Sequence, residues 1–574
     1  MMKDHLARFL SLILLAIVTS SVTAAANHPP VVSSSTLSQA EGSKPNIIIF
    51  FTDDHGWADL SCQGSVNDIK TPHTDRLAAQ GVRFTSGYST APQCRPARAG
   101  LMAGRYQNRF GLEHNGHNGF PWGEYTIAER LRDGGYITGM AGKWHLHGEV
   151  DSTGKLPDGS NASAKVIKAG ISNNLGLEDP GQVQHHGFME HLSGSMNTYI
   201  ATHSPNGDDL GGIVRHVDQR YRVDVQAEWG ANFINRHAKG DKPFFLYLPL
   251  FAPHVPLEAP KKYLDRFPGK MAERRRLALA MISSVDDGVG LITKTLEKHG
   301  ISDNTLIFYM SDNGAPLKMH KIDAPGGGAG WDGSLNDPYI GEKGMLTEGG
   351  IRIPYIAKWP RQIPAGKVED RPVISLDAVA TSLVAAGLEL DDRIDGVDLV
   401  PYLIDKKKGD PHEALYWRWA GQYAIRSGDW KLLKGGNRSY LFDVTTDEHE
   451  TKNLIKKHPE RAADLKKKLV AWSNEQYEPG YDHKVGYAGD RYFDFYLDGK
   501  HIPPPVGAMN PQATSASNRN QQLFKSRDKN KDGFLTLEEF IGNPKGRNVP
   551  VLTKRFNEWD KNGDSKVSLK EMGE

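Results

Sequence analysis

Two short apolar runs in this chain each end in a cluster of oxygen-bearing side chains, and that pairing constrains the fold more than any other feature. Asn46 to Phe51 is an unbroken β-branched and aromatic stretch that runs into Thr52-Asp53-Asp54-His55-Gly56. Thr305 to Met310 repeats the pattern and runs into Ser311-Asp312-Asn313-Gly314. Continuous apolar runs of this length read as strands buried on both faces, the pattern of a parallel sheet covered by helices. Phe244 to Phe251 is a third such run. Helical patterns lie between them, at Thr74 to Gln80, Thr126 to Asp133, Asp224 to Arg236 and Ala278 to His299. Buried strands alternating with helices predict an α/β domain built on a large, mostly parallel sheet flanked by helices.

In such sheets ligands bind at the carboxyl ends of the strands. If both runs share one sheet, Asp53, Asp54, Asp312 and Asn313 converge there. Carboxylates and an amide oxygen suit a hard divalent cation, Ca²⁺ or Mg²⁺, better than zinc. Taken singly, each cluster is also an ordinary turn signal, because Asp and Asn side chains bond their own backbone.

The chain has 574 residues, beyond the roughly 250–300 at which a single core stops growing, so several domains are expected. Its 70 basic and 69 acidic side chains leave a net charge of +1. That balance excludes the basic excess of a nucleic-acid binder, and any recognition of an anion must be local. Lys3 and Arg8 precede an apolar run from Phe9 to Val18 and then small residues to Ala26. Residues 1–26 therefore read as a signal peptide, predicting a secreted or periplasmic protein; an uncleaved amphipathic anchor is the alternative. The run is too short to cross a bilayer, which takes about 20 residues, and no later stretch reads as a membrane span. Residues 27–43 read as a flexible lead-in. Only two cysteines are present, Cys62 and Cys94, and in an exported protein two cysteines can pair.

The α/β domain is assigned to residues 44–400. Beyond it, Ala414 to Trp419, Tyr423 to Ile425, Trp430 to Leu433 and Ser439 to Val444 predict a small antiparallel sheet, with Ala462 to Glu475 a helix against it, over 401–502. Residues 503–520 read as a linker. The last segment, 521–574, contains two stretches that fit the twelve-residue EF-hand loop. The first offers Asp528, Asn530, Asp532, the Phe534 carbonyl, Thr536 and Glu539, with Gly533 at the sharp turn. The second offers Asp560, Asn562, Asp564, the Lys566 carbonyl, Ser568 and Glu571, but has Ser565 at the turn, where a positive φ strains a side chain. Leu523, Phe524, Phe540, Leu552, Phe556 and Trp559 supply apolar faces for an α-helical EF-hand pair that binds Ca²⁺; its partner is not evident from the residues.

The segment Cys94-Arg95-Pro96-Ala97-Arg98 closely resembles the signature of the sulfatase family, of the arylsulfatase and N-acetylgalactosamine-6-sulfatase type. There a formylglycine-generating enzyme oxidises the cysteine to formylglycine, whose hydrate attacks sulfur. Ala97 stands where most members have Ser. Further segments match in the same order: Thr71 to Leu77, Gly142-Lys143-Trp144-His145, Ala252-Pro253-His254-Val255-Pro256, Gly341 to Gly344 with Glu348 to Pro354, and Leu441-Phe442-Asp443 with Glu450 to Leu454. The resemblance implies an alkaline-phosphatase-like fold over residues 45 to about 480. It implies that Asp53, Asp54, Asp312 and Asn313 hold one Ca²⁺ that also touches residue 94, and that Arg98 holds that residue in place. Lys143 and Lys343 would supply positive charge to the transferring sulfuryl group. His254, with Lys343, would protonate the leaving alcohol, and His145 would deprotonate residue 94 so that sulfate is expelled.

The expected substrate is a sulfated polysaccharide or oligosaccharide, with His147, Trp122 and Trp331 as candidate contacts. His55, His73, His147, His185 and His186 are otherwise expected to be structural. Two other readings stay open: a phosphomonoesterase or phosphodiesterase of the same superfamily, and an inactive protein that binds sulfated glycans.

Overall fold

The computed structural model describes residues 44–115, 119–147, 182–194, 197–317, 331–477, 486–500, 524 and 527–542, and, near the C-terminus, 553, 556, 557, 559, 560, 562–568, 571 and 572. The expected signal peptide, lead-in and linker (1–26, 27–43 and 503–520) lie outside the described residues, as do Leu523 and Leu552.

In chain order the main body contains β1 (Asn46–Thr52), β2 (Val82–Phe84), β3 (Gly87–Tyr88), β4 (Ile137–Gly142), β5 (Glu190–Ser193), β6 (Thr198–His203), β7 (Asp209–Val217), β8 (Phe244–Leu248), β9 (Thr305–Ser311), β10 (Tyr355–Lys358), β11 (Lys367–Glu369) and β12 (Val373–Ile374). Ten of them form one sheet in the order β11-β2-β10-β9-β1-β8-β4-β5-β6-β7, and β3 pairs with β12 apart from it. The strands β9, β1, β8, β4 and β5 are parallel. On one flank β10 runs antiparallel to β9 and β2, and on the other β6 runs antiparallel to β5 and β7.

The mostly parallel sheet expected from the sequence is therefore corrected to a mixed one. Its parallel centre is what the apolar runs report. The flanks escape them because β2 and β10 are only three and four residues long, and because β7, at the other edge, keeps a wet face. Much of β7 is exposed.

Burial explains the unbroken runs. Ile47, Ile49 and Phe51 pack into one core with Ala99, Leu101 and Met102. Ile48 and Phe50 face the opposite way, toward Trp229, Phe233, Met281 and Val285. Successive side chains of a strand alternate faces, so a strand covered on both sides can spare no polar position. Each such side chain contributes about 1.5–3 kcal/mol on burial.

Several boundaries shift for identifiable reasons. The run predicted to Phe251 stops at Leu248, since Pro249 cannot continue the ladder. Helix α1 (Pro72–Ala79) starts on a proline at its first position, two residues before the predicted start. Helix α2 (Cys94–Ala103) was not foreseen: Pro96 and Gly100 weaken a helical reading of the segment, and all ten residues are buried, Arg95 and Arg98 included. Helix α3 (Ile127–Asp133) is preceded by Thr126, which forms a capping box with Glu129. The helices Arg222–His237 and Glu273–Lys298 begin earlier than their apolar periodicity does.

The second sheet is antiparallel and sequential: β13 (Leu415–Trp419), β14 (Gln422–Ser427), β15 (Trp430–Gly435) and β16 (Arg438–Asp443). Helix Pro459–Asn474 packs on it through Leu465, Leu469 and Trp472. Near the C-terminus β17 (Phe534–Thr536) pairs antiparallel with β18 (Lys566–Ser568), over a small core of Phe524, Leu535, Phe540, Phe556, Val567 and Met572. No helix among the described residues is long and apolar enough to cross a membrane.

Candidate active site

The strands β1 and β9 are neighbours, with Thr52 opposite Ser311, so the two oxygen clusters leave the same end of the sheet side by side. The Asp312 N–H donates to Thr52 O at 3.0 Å, and the Asp54 N–H donates to Asp312 Oδ1 at 3.1 Å. Asp54 adopts φ 61°, a left-handed backbone conformation that turns the chain sharply just beyond the strand end.

Basic side chains arrive from separate elements. Lys143 follows β4, and its Nζ donates to Asp53 Oδ2 at 2.5 Å. The bend before it needs Gly142, because a Cβ there would stand 2.2 Å from Pro249 O. Arg98 projects from α2, fully buried; Nη2 donates to Asp312 Oδ2 at 2.7 Å and Nη1 to Lys143 O at 3.1 Å. Lys343 places Nζ 2.6 Å from Asp54 Oδ1. The His254 ring is held through Nδ1 by Val255 O at 2.6 Å, which leaves Nε2 3.7 Å from Asp54 Oδ2. His145, at φ 59°, feels the charges of Lys143, Arg95, Arg98 and Asp53.

Cys94 opens α2 and is 2% exposed. Its Sγ and carboxylate oxygens of Asp53 and Asp312 all lie within 4.8 Å of one another. Both Cys94 and Cys62 are free thiols, so the disulfide alternative fails. Cys62 is held as a thiol by burial and by Asp75, which push its pKa up to about 12.

The electrostatics follow from packing anions and cations out of water. Burial alone would raise Asp53, but Lys143, His254, Arg98 and Lys343 together hold it well below the carboxylate range. The same competition leaves Asp54 at about 2. At Asp312 burial and the neighbouring Asp53 and Asp54 outweigh Arg98 and push the carboxyl up to about 7. Burial also lowers both histidines, His145 well below its usual value and His254 to about 4, so each is a neutral imidazole near pH 7.

The donor set fits a hard divalent cation. Asp53 Oδ1 and Asn313 Oδ1 are buried without a hydrogen-bond partner among the described residues, and such atoms are rare unless something else satisfies them. Asn313 spends its amide N–H groups on Asp54 Oδ1 and Gly314 O, which turns its oxygen away from both.

Other candidates fall elsewhere. His55 is structural, its ring bonded to Asp59 O and Tyr309 OH. His73 gives its backbone N–H to Asp286 at the start of α1. His186 is sandwiched between Trp122 and Trp144, and His185 meets Trp122 edge-on, so Trp122 is packed against imidazoles. Trp331 donates its indole N–H to Ser334 O at 2.7 Å. His147 is half-buried, two residues beyond His145.

In the C-terminal loops the side chains curl around backbone amides. Asp528 accepts from Gly533 and Asp532 from Phe534 in the first loop; Asp560 accepts from Ser565 and Asp564 from Lys566 in the second. Glu539 and Glu571 bond back to Thr536 and Ser568. Gly533 and Ser565 take φ 83° and 65°.

Sequence reasoning missed Asn115. Its Nδ2 lies 3.4 Å from Cys94 Sγ, and its Oδ1 accepts the Arg95 N–H at 3.0 Å. A lone Asn in a loop, 21 positions from Cys94, carries no periodic signal that could have found it.

Fold and site together define a hydrolase of sulfuric esters. The chain matches the Sulfatase family profile over residues 45–388 and the profile for the N-sulphoglucosamine sulphohydrolase C-terminal region over 340–475, and it belongs to the sulfatase family. It is 30% identical to N-acetylgalactosamine-6-sulfatase of Canis lupus familiaris, over 72% of this chain and 79% of that one. It is also 30% identical to arylsulfatase A of Homo sapiens, over 74% and 82%. Among solved structures, Ps i-CgsB superposes with a TM-score of 0.63 at 29% identity, covering 79% of this chain and 97% of that one.

Proposed function

We propose that this sulfatase acts on a sulfated saccharide, through a formylglycine made from Cys94 and a Ca²⁺ held by Asp53, Asp54, residue 94, Asp312 and Asn313. The observation that carries the reading is the placement of Cys94 Sγ within 4.8 Å of carboxylate oxygens from both strand ends. Oxidised and hydrated, residue 94 supplies the attacking hydroxyl, and the cation, when bound, supplies charge that favours its ionised form.

The chain's own side chains do the rest. Arg98 fixes α2 against Asp312, and with it the position of residue 94. Lys143 and Lys343 hold positive charge beside the oxygens of the sulfuryl group. Lys343, cationic near pH 7, delivers a proton to the departing alcohol together with His254 once the anionic sulfate ester has raised and protonated that imidazole, and the neutral His145 takes a proton from the side chain of residue 94.

Support for a saccharide comes from the relatives. One is an N-acetylgalactosamine-6-sulfatase, and Ps i-CgsB has been crystallised with k-i-k-neocarrahexaose. His147 and Trp331 remain proposed contacts. Retention of every candidate catalytic side chain argues against an inactive glycan binder, and a two-zinc phosphoesterase site would call for more histidine and aspartate ligands.

The proposal includes export through residues 1–26, maturation by a formylglycine-generating enzyme, and division into a catalytic domain (44–400), a smaller sheet subdomain (401–502) and a Ca²⁺-binding EF-hand pair (521–574). Support for the EF-hand pair is the β17–β18 ladder, which sets Leu535 against Val567 between the loops.

The deciding experiment is mass spectrometry of the peptide containing residue 94, with sulfate release measured on a panel of sulfated oligosaccharides. Formylglycine at 94 and release from at least one saccharide are expected. An unmodified thiol in active protein refutes the mechanism. Chelation should abolish release and Ca²⁺ should restore it.

A further inference from the structure

The β13–β14 hairpin belongs to the smaller sheet, yet its tip reaches the two segments that carry Cys94 and Lys343. On the β14 side the amide of Gln422 is used at both ends: Nε2 donates to Gly344 O at 2.9 Å, and Oε1 accepts the Leu346 N–H at 3.0 Å. On the β13 side the Trp419 indole N–H donates to Gln93 Oε1 at 3.3 Å, and the Trp417 indole N–H donates to Ser89 O at 2.7 Å. Gln93 immediately precedes Cys94, and its Oε1 also accepts the Asn115 N–H at 3.2 Å. The two clamped segments meet directly, since the Gly344 N–H donates to Pro92 O at 2.9 Å.

Residues 343–346 are irregular backbone with no ladder of their own, so Gln422 provides what a neighbouring strand would. Gln422 is 1% exposed. A buried amide is costly unless all its bonds are made, and once made they admit one register of the loop it holds.

We propose that Gln422 is a positioning residue for the reaction, setting Lys343 relative to residue 94. This rests on the role given above to Lys343.

The test is a double-mutant cycle in the full-length, formylglycine-bearing protein, with kcat and KM measured on one sulfated substrate. Gln422→Met keeps the volume and removes both bonds. It should lower kcat about tenfold or more, since small misplacements of a reacting group cost that much, while KM changes by less than about threefold. Gln422→Glu keeps the acceptor for the Leu346 N–H alone and should fall between; it carries the same cycle if Gln422→Met does not fold. In a Lys343→Ala background the Gln422 substitution should cost nothing further, because a residue that acts only through another is silent once that other is gone. An equal loss in both backgrounds overturns the proposal alone, and so does no loss in either. A Lys343→Ala protein with unchanged kcat overturns the role of Lys343 and the positioning proposal with it.

Discussion

Replacing Lys431 by Met tests how the smaller sheet is joined to the catalytic body. Lys431 lies on β15 with no exposed surface, its Nζ 2.8 Å from Glu348 Oε1 and 2.9 Å from Glu450 Oε1. Glu348 also accepts from Tyr88 OH and from Arg352, and Glu450 accepts the Glu348 N–H. Gly349 and Gly350 follow directly, and the Gly314 N–H beside Asn313 donates to Gly350 O at 3.0 Å. Methionine keeps the volume but leaves two buried carboxylates short of a counter-charge, a loss worth about 3–5 kcal/mol, or roughly two to four powers of ten in the unfolding equilibrium.

The pH dependence has a definite sign. Burial, with Glu348 beside it, outweighs Lys431 and pushes Glu450 up to about 7, so the native state holds a proton between pH 4.5 and 7 that the unfolded chain releases. Stability from this group falls as pH rises through that window, and removing Lys431 deepens the fall. Urea denaturation followed by tryptophan fluorescence should therefore show Lys431→Met destabilised most at pH 8 and less at pH 5.5. A cost below about 1 kcal/mol at pH 8, or one that is the same at both pH values, would refute the reasoning.

Three further outcomes are expected. Burial lowers His186 to about 4, and neither ring nitrogen has a hydrogen-bond partner among the described residues, so its share of stability is present above pH 6.5 and lost as pH falls toward 4; the gain of His186→Phe over the wild type should be about 2 kcal/mol larger at pH 5 than at pH 8 in the same urea assay, and an equal gain at both would refute it. Asn115→Ala should lower kcat/KM on the order of 100-fold, since its amide touches residue 94, and cost about 1 kcal/mol because the Arg95 N–H loses its acceptor; wild-type kinetics would remove it from the site. Gly314→Ala would set a Cβ 1.9 Å from Gly349 O, and should cost at least about 3 kcal/mol in denaturation experiments; a wild-type midpoint would contradict the packing described.

Much of this protein could be read before any coordinates. Strands β1, β8 and β9 were legible because burial on both faces leaves an unbroken apolar run. Their ends were legible because Asp53-Asp54 and Asp312-Asn313 are contiguous with those runs. The order of Cys94, Lys143, His145, His254 and Lys343 along the chain was enough to suggest the chemistry. What the residues along the chain could not say is which strands are neighbours. Only the parallel register of β1 and β9 brings an amide and a carboxylate 259 positions apart into one hydrogen bond, Asn313 Nδ2 donating to Asp54 Oδ1 at 2.7 Å. The antiparallel flanks, the fully buried helix α2, Asn115 and the Gln422 clamp were likewise decided by tertiary structure. Each depends on contacts between distant segments, which the order of residues along the chain does not record. Chemistry is written in residue types and therefore survives in the linear order. Position is set by which surfaces exclude water together, and that exists only in the folded chain.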